Sequence, residues 1–240
     1  MLAGLLADSV AIVESFGDDG SDRALLYPEE QACVARAVDK RRREFTAVRA
    51  CARRAMAELG VPPAPVLPGE RGAPQWSAGL IGTMTHCDGY RAAALARAAD
   101  LASLGIDAEP HGPLPDGILP SVSLPAERTR LTQLATRWPA VHWDRVLYSA
   151  KESVYKAWFP LTHRRLDFDE ADIDLSMDPG TAAHGGFHVE LLVPGPVVGG
   201  IRLGHLQGRW TVDRGFVGTA VTVRHPPAAP PAPAEPRPAP

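Results

Sequence analysis

Apolar residues in the first quarter of the chain recur at helical spacing. Phe45, Val48, Ala52, Ala55, Met56 and Leu59 fall on one stripe of a 3.6-residue repeat. The pattern predicts a helix over residues 29–60, capped by Gly60 and stopped by Pro62-Pro63. Before it, the apolar run from Met1 to Val13 reads as a strand or buried segment. Residues 61–80 are a Pro/Gly-rich loop. Residues 81–85 and 92–98 read as short strands, or as a strand and a helical turn, around Asp88-Gly89. Residues 101–109 read as a further strand, and the Pro/Gly-rich stretch 110–120 marks a boundary between two lobes. Helices follow at 126–137 and 143–159, the second stopped by Pro160. Strands are expected at 173–175, 186–193, 200–207, 209–213 and 216–224, the last two forming a hairpin at Asp213-Arg214-Gly215. Residues 226–240 are almost entirely Pro and Ala and predict a solvated tail. No internal repeat is visible.

Composition narrows the class. The chain has 240 residues, 45% hydrophobic and 22% charged, with a net charge of -3. That is enough for one sizeable core or two small lobes. It gives no global reason to expect nucleic acid or an anionic membrane. No apolar run is long enough to span a bilayer, and the N-terminus carries Asp8 without a basic leader, unlike a signal peptide. Three cysteines without CxxC spacing (Cys33, Cys51, Cys87) point to reduced thiols in a cytoplasm and away from a zinc site.

Three constellations carry chemistry. Residues 36–54 hold Arg36, Lys40, Arg41, Arg42, Arg43, Arg49, Arg53 and Arg54. On a helix, Arg42, Arg49 and Arg53 fall within about 40° of one another, beside the apolar stripe. Such a row is either a solvated face with i, i+4 pairs or a set of forked donors for phosphate. Next, Gly82-Thr83-Met84-Thr85-His86-Cys87 leads small and hydroxyl residues into a histidine. That turn can offer N–H groups and an imidazole to a phosphate, or can be a loop around a lone histidine. Third, Gly105-Ile106-Asp107-Ala108-Glu109 ends an apolar run with two carboxylates spaced i, i+2. On a strand they share a face, and two adjacent like charges need a cation between them. Lys151-Glu152-Ser153-Val154-Tyr155-Lys156 offers a third carboxylate flanked by two ammonium groups. Asp107, Glu109 and Glu152 suit Mg²⁺ with phosphate oxygens as further ligands; salt bridges to nearby Arg are the plain alternative.

These segments, in this order, resemble the motifs of 4′-phosphopantetheinyl transferases. Arg-Arg-Glu-Phe-x₃-Arg-x₃-Arg (residues 42–53), Gly-Thr-Met-Thr-His-Cys (82–87), Gly-Ile-Asp-Ala-Glu (105–109) and Ala-Lys-Glu-Ser-Val-Tyr-Lys-Ala-Trp (150–158) are similar to those of the Sfp/EntD-type group, especially its actinobacterial members. The resemblance runs over about residues 10–224. It implies transfer of the phosphopantetheine arm of coenzyme A to a serine of an acyl or peptidyl carrier protein, with adenosine 3′,5′-bisphosphate as the other product. It also implies an α+β fold of two similar lobes related by a pseudo-twofold, residues 1–110 and 111–225, with coenzyme A in the cleft. By position, Asp107, Glu109 and Glu152 would hold Mg²⁺, with the Ala108 backbone carbonyl as a possible fourth ligand. Arg41, Arg49 and Arg71 would contact the coenzyme A phosphates, with His86 and Thr85 beside them. Lys151 and Lys156 would lie near the pyrophosphate. Glu152, Lys156 and His86 make up the catalytic group, with Glu152 as general base and Lys156 at the leaving oxygen. Arg53 would brace the helix. Pro68 stands where some relatives carry Lys, a contact Arg71 would replace.

For the carrier, Trp158-Phe159-Pro160-Leu161 with His163-Arg164-Arg165 offers an apolar and basic docking surface for an acidic helix; alternatively, Trp158 and Phe159 are core. A monomer is expected. A Mg²⁺-dependent phosphohydrolase of coenzyme A or nucleotides would use the same carboxylates with water as nucleophile. A coenzyme A-binding or nucleic-acid-binding module built on the Arg helix is the non-enzymatic alternative.

Overall fold

The computed structural model describes residues 1–17, 20–21 and 24–227; the expected tail lies outside the described residues from position 228 onward. The chain folds as a mixed α+β structure. Its first half runs β1 (Ala11–Phe16), α1 (Pro28–Cys33), α2 (Asp39–Glu58), the short strands β2 (Leu67–Pro68) and β3 (Pro74–Gln75), then β4 (Leu80–Cys87) and β5 (Tyr90–Arg97). The second runs β6 (Ser103–Pro110), α3 (Leu119–Val122), α4 (Pro125–Arg137), α5 (Trp143–Thr162), β7 (Ala171–Met177), β8 (His184–Leu191), β9 (Val197–Val198), β10 (Ile201–Arg202), β11 (His205–Asp213) and β12 (Phe216–Val223). Two larger sheets result, ordered β1-β5-β4 and β6-β12-β11-β8-β7, with every neighbouring pair antiparallel.

Each sheet carries one long helix. The stripe of α2 buries Cys51, Ala52, Ala55 and Met56 against Val13, Ala93 and Leu95 of the first sheet. Helix α5 buries Val146, Leu147, Val154 and Trp158 against Phe187, Val189 and Trp210 of the second. Between them, Leu2, Tyr90, Ala92, Ile106 and Ala220 form a third apolar cluster.

A buried glutamate anchors each helix. Glu30 accepts from the Tyr27 N–H (3.1 Å) and the Val66 N–H (2.9 Å), and pairs with Arg53 on α2 at 3.0 Å. Glu127 accepts from the Leu124 N–H and the Ile173 N–H, both at 2.7 Å, and pairs with Lys151 on α5 at 2.8 Å. A buried charge is tolerable only with its hydrogen bonds complete, and both carboxylates meet that condition.

The structure departs from the sequence expectations at several points. Residues 29–60 are two helices, because the chain turns at 34–38 to seat Glu30 beneath α2. The loop over residues 61–80 contains the small β2–β3 hairpin. Pro160 lies inside α5 instead of ending it; it forgoes one i to i−4 bond, and the helix runs only two residues further. The helix ends at His163, whose φ of 51° is left-handed. The strand expected at 200–207 is divided between β10 and the start of β11.

A close approach joins β6 to α5. A Cβ at Gly105 would lie 2.0 Å from the Ser153 carbonyl oxygen and 2.7 Å from the Ala157 nitrogen. Ser103 Oγ donates to the Ala157 carbonyl at 2.7 Å on the same face. Gly105→Ala is therefore expected to destabilise the protein by about 3 kcal/mol through overpacking, seen as a lower urea midpoint. An unchanged midpoint would mean that α5 can move away freely.

Candidate functional site

Strand alternation builds the site. On β6, Ser103, Gly105, Asp107 and Glu109 share the face beneath α5, while Leu104, Ile106 and Ala108 enter the apolar cluster. Asp107 and Glu109 thus project together, as their spacing predicts. Beside β6 runs β4, joined to it by side chains. The Thr83 hydroxyl accepts from the Ile106 N–H (3.3 Å), and the Thr85 hydroxyl accepts from the Ala108 N–H (3.2 Å). The Ala108 carbonyl points to the same side as its N–H, away from β12.

Lys156 of α5 closes this arrangement. Its ammonium lies 2.7 Å from Asp107 Oδ1, 3.1 Å from the Ile106 carbonyl and 3.5 Å from Thr85 Oγ1. Thr85 Oγ1 also donates to Asp107 Oδ1 at 3.1 Å. Glu152, one turn before Lys156, shares its face. Burial pushes the Glu152 carboxyl above its ordinary range and Asp107 adds to this, while Lys156 opposes it. Glu109 is raised in the same way, first by burial and then by Asp107, against the pull of Arg145. The Cys87 thiol is pushed up to about 12 by burial and by Glu109 and Asp107, so it stays protonated.

A cationic group lies across the seam. Arg41, at the start of α2, reaches His86 at the end of β4, with Nη1 3.2 Å from Nε2. Glu44 Oε2 is 3.4 Å from the same nitrogen. Burial lowers the His86 pKa, and although Glu44 opposes this, Arg41, Lys156 and Arg91 lower it further. Because a guanidinium can only donate, His86 Nε2 accepts from Arg41. Arg71, exposed and left-handed at φ 52°, borders a pocket of about 220 Å³ with Lys151, Glu152, Tyr155 and Phe168.

Several residues expected at the site are engaged elsewhere. Lys151 does not face the carboxylates: its buried ammonium is bound by Glu127 and by the Phe168 and Ala171 carbonyls, each at 2.6 Å. Arg49 is 5% exposed, donates to the Val66 carbonyl at 2.9 Å and stacks on Phe45. Burial pushes its guanidinium down to about 10. Arg53 braces α2 through Glu30, as expected. Trp158 and Phe159 are core, which removes the aromatic half of the proposed docking surface; His163, Arg164 and Arg165 remain exposed.

Arg145 went unnoticed in the sequence. It donates to Glu109 (3.0 Å) and to the Gly112 and Pro113 carbonyls (3.2 and 2.7 Å), clamping the loop after β6. Tyr148 went unnoticed as well; burial, Glu152 and the β6 carboxylates push its hydroxyl up to about 12. The available signal was spacing: Arg145, Tyr148, Glu152 and Lys156 recur along one face of α5.

The donor chemistry fits a hard cation. Asp107 Oδ2 is buried without a hydrogen-bond partner, and Glu109 and Glu152 are both raised by Asp107. As placed, however, Asp107 turns to Lys156 and Glu109 to Arg145. Among the described residues no three His, Cys, Asp or Glu side chains converge closely enough to hold a metal.

Comparison with known proteins bears directly on this site. A family model described as the 4′-phosphopantetheinyl transferase N-terminal domain matches residues 29–96, and one described as the 4′-phosphopantetheinyl transferase superfamily matches residues 103–191. The chain is 58% identical over 227 residues to the 4′-phosphopantetheinyl transferase Svp of Streptomyces mobaraensis, covering 94% of this chain and 90% of that one. It is 52% identical to Npt of Nocardia iowensis (81% and 88% covered) and 46% identical to PptT of Mycobacterium tuberculosis (93% and 96% covered). Both carry the same enzyme name.

The two lysines of the α5 motif should separate experimentally. Lys151→Met leaves Glu127 buried and unpaired, a loss of about 3–5 kcal/mol that chemical denaturation would detect. Lys156→Met should cut turnover with a much smaller change in stability. Equal stability losses would contradict the division.

Proposed function

The chain belongs to the 4′-phosphopantetheinyl transferase superfamily, an enzyme moving the phosphopantetheine arm of coenzyme A to a carrier protein, and we propose that the β6–α5 junction is where it does so. The observation that carries this reading is the meeting of Asp107, Thr85 and Lys156 beside the raised carboxyl of Glu152. Relatives sharing half or more of their residues make the phosphohydrolase alternative the poorer one.

The proposed division of labour follows from charge. Arg41, His86 and Arg71 bind the phosphates of coenzyme A, with Thr85 beside them on β4, which is a strand through Cys87 and not the turn expected there. Arg49 and Lys151 serve the same site indirectly, holding α2 and α5 in place. The carrier serine oxygen forms a bond to the phosphorus bearing the pantetheine arm, and the bond to the bisphosphate oxygen breaks. Glu152 takes the serine proton, a task suited to a carboxyl raised above its ordinary range. Lys156 neutralises the charge that collects on the leaving oxygen. Asp107, Glu109 and Glu152, with the Ala108 carbonyl, would hold Mg²⁺. Its contribution would be to offset the charge of the pyrophosphate.

The same reading extends to organisation. A strand, a helix carrying a buried glutamate, a 20-residue helix and a closing hairpin occur twice in order: β1-α1-α2-β4-β5 and β6-α4-α5-β11-β12. This supports two similar lobes, but the repeat places β6, paired to β12, with the second of them, so the division falls between β5 and β6 and not at residue 110. A monomer acting in the cytoplasm fits the expectations from size and thiols. No helix among the described residues is long and apolar enough to cross a membrane. Exposed His163, Arg164 and Arg165, beside the pocket, offer charge to an acidic carrier helix.

Incubation with coenzyme A, Mg²⁺ and an apo carrier should add one phosphopantetheine arm to the carrier by intact mass; bisphosphate release without carrier would indicate hydrolysis instead. A panel of fatty-acid, polyketide and peptide carriers would identify those served. Asp107→Ala should abolish transfer and its Mg²⁺ dependence, and an unaltered Mg²⁺ titration would remove Asp107 from the metal set. Glu152→Gln should lower turnover by about 10²–10⁴-fold, the range of a general base. Near-normal turnover at saturating Mg²⁺ would rule out that role.

A further inference from the structure

The face of the second sheet opposite α5 carries a group of side chains that the transfer reaction does not use. Cross-strand register sets His188 of β8 opposite Gln207 of β11, and Glu190 opposite His205. All four residues are exposed, and alternation puts them on one face, outside the buried row of Phe187, Val189 and Leu206. They form a square with the imidazoles of His188 and His205 on one diagonal. The ring centroids are 5.0 Å apart, tilted by 32°. No hydrogen bond or ion pair engages these four side chains among the described residues. The neighbouring carboxylates Asp172 and Asp174 are already held by Arg130 of α4, which leaves Glu190 as the free carboxylate of the square.

We propose that His188 and His205 form a two-imidazole surface site for a borderline divalent transition cation of the Zn²⁺, Ni²⁺ or Cu²⁺ class, with water completing the coordination. Imidazole nitrogens select these ions over Mg²⁺ and Ca²⁺, which take oxygen ligands. Metal–nitrogen bonds of about 2.0–2.1 Å require the facing nitrogens to approach each other. Two exposed rings at this spacing do so by small side-chain rotations, with no backbone change. Antiparallel pairing holds the two backbones rigidly, so the chelate is largely organised in advance. The other close histidine pair lacks this freedom: His111 Nε2 already accepts from the His142 N–H at 3.2 Å. The site is chemically distinct from the carboxylates of the β6–α5 junction and independent of the proposed function.

Calorimetric titration of untagged protein with NiCl₂ in Mg²⁺-free buffer tests the assignment. One Ni²⁺ per chain is expected. His188→Asn or His205→Asn should weaken binding at least tenfold, and the double variant should abolish it. His163→Asn should leave binding unchanged. Cu²⁺ bound to the parent should show two nitrogen ligands by electron paramagnetic resonance, and the double variant should retain full transferase activity and thermal stability. The proposal fails if the double variant binds Ni²⁺ as the parent does. It fails equally if millimolar Mg²⁺ displaces the ion, which would place it on the carboxylates.

Discussion

The contact between β6 and α5 is the constraint on which the site depends. A strand and a helix rarely approach closely enough for a carbonyl to occupy the space of a Cβ, and here Gly105 permits it. Two residues further along, the same face presents Asp107 to an ammonium from the helix. Had β6 carried a side chain at 105, the helix would stand off, and Lys156 would no longer bridge the Asp107 carboxylate and the Ile106 carbonyl. The glycine and the carboxylates of the β6 motif are therefore parts of one requirement: the first sets the distance that makes the others useful.

Ionic groups divide between holding the fold and facing the substrate, and sequence proximity does not decide which. Lys151 and Lys156 lie on either side of Glu152 in one short motif. Five residues on a helix turn through about 140°, so the two ammonium groups leave α5 in different directions. One enters a buried cluster with Glu127, and the other reaches β6. Arg41 and Arg49 part in the same way on α2. Arg41 stays exposed beside His86, and Arg49 sinks between Phe45 and Val66.

Much of the fold could be read in advance where a period was strong. The stripe of α2, the alternation of β6 and the hairpin at Asp213–Gly215 followed from spacing alone, and the ordered motifs identified the family. Features set by distant partners could not be read. The division of residues 29–60 depends on Glu30 meeting Val66 and Arg53, and nothing local marks that. The matching roles of Glu30 and Glu127 are invisible as a repeat, since one glutamate is partnered by arginine and the other by lysine. Arg145 looked like one more helix charge, because its ligands are carbonyls in a loop more than thirty residues away.

Thr85 has a consequence of its own. A hydroxyl has one hydrogen and two lone pairs. At Thr85 the hydrogen goes to Asp107, and the lone pairs face the Ala108 N–H and the Lys156 ammonium. Its valence is complete, so the O–H vector has a single permitted orientation. Asp107 differs, because Oδ2 has no partner. The junction thus combines a saturated group with an unsaturated one on adjoining strands. Any ligand entering there finds the threonine unable to answer it and the aspartate with one oxygen to offer.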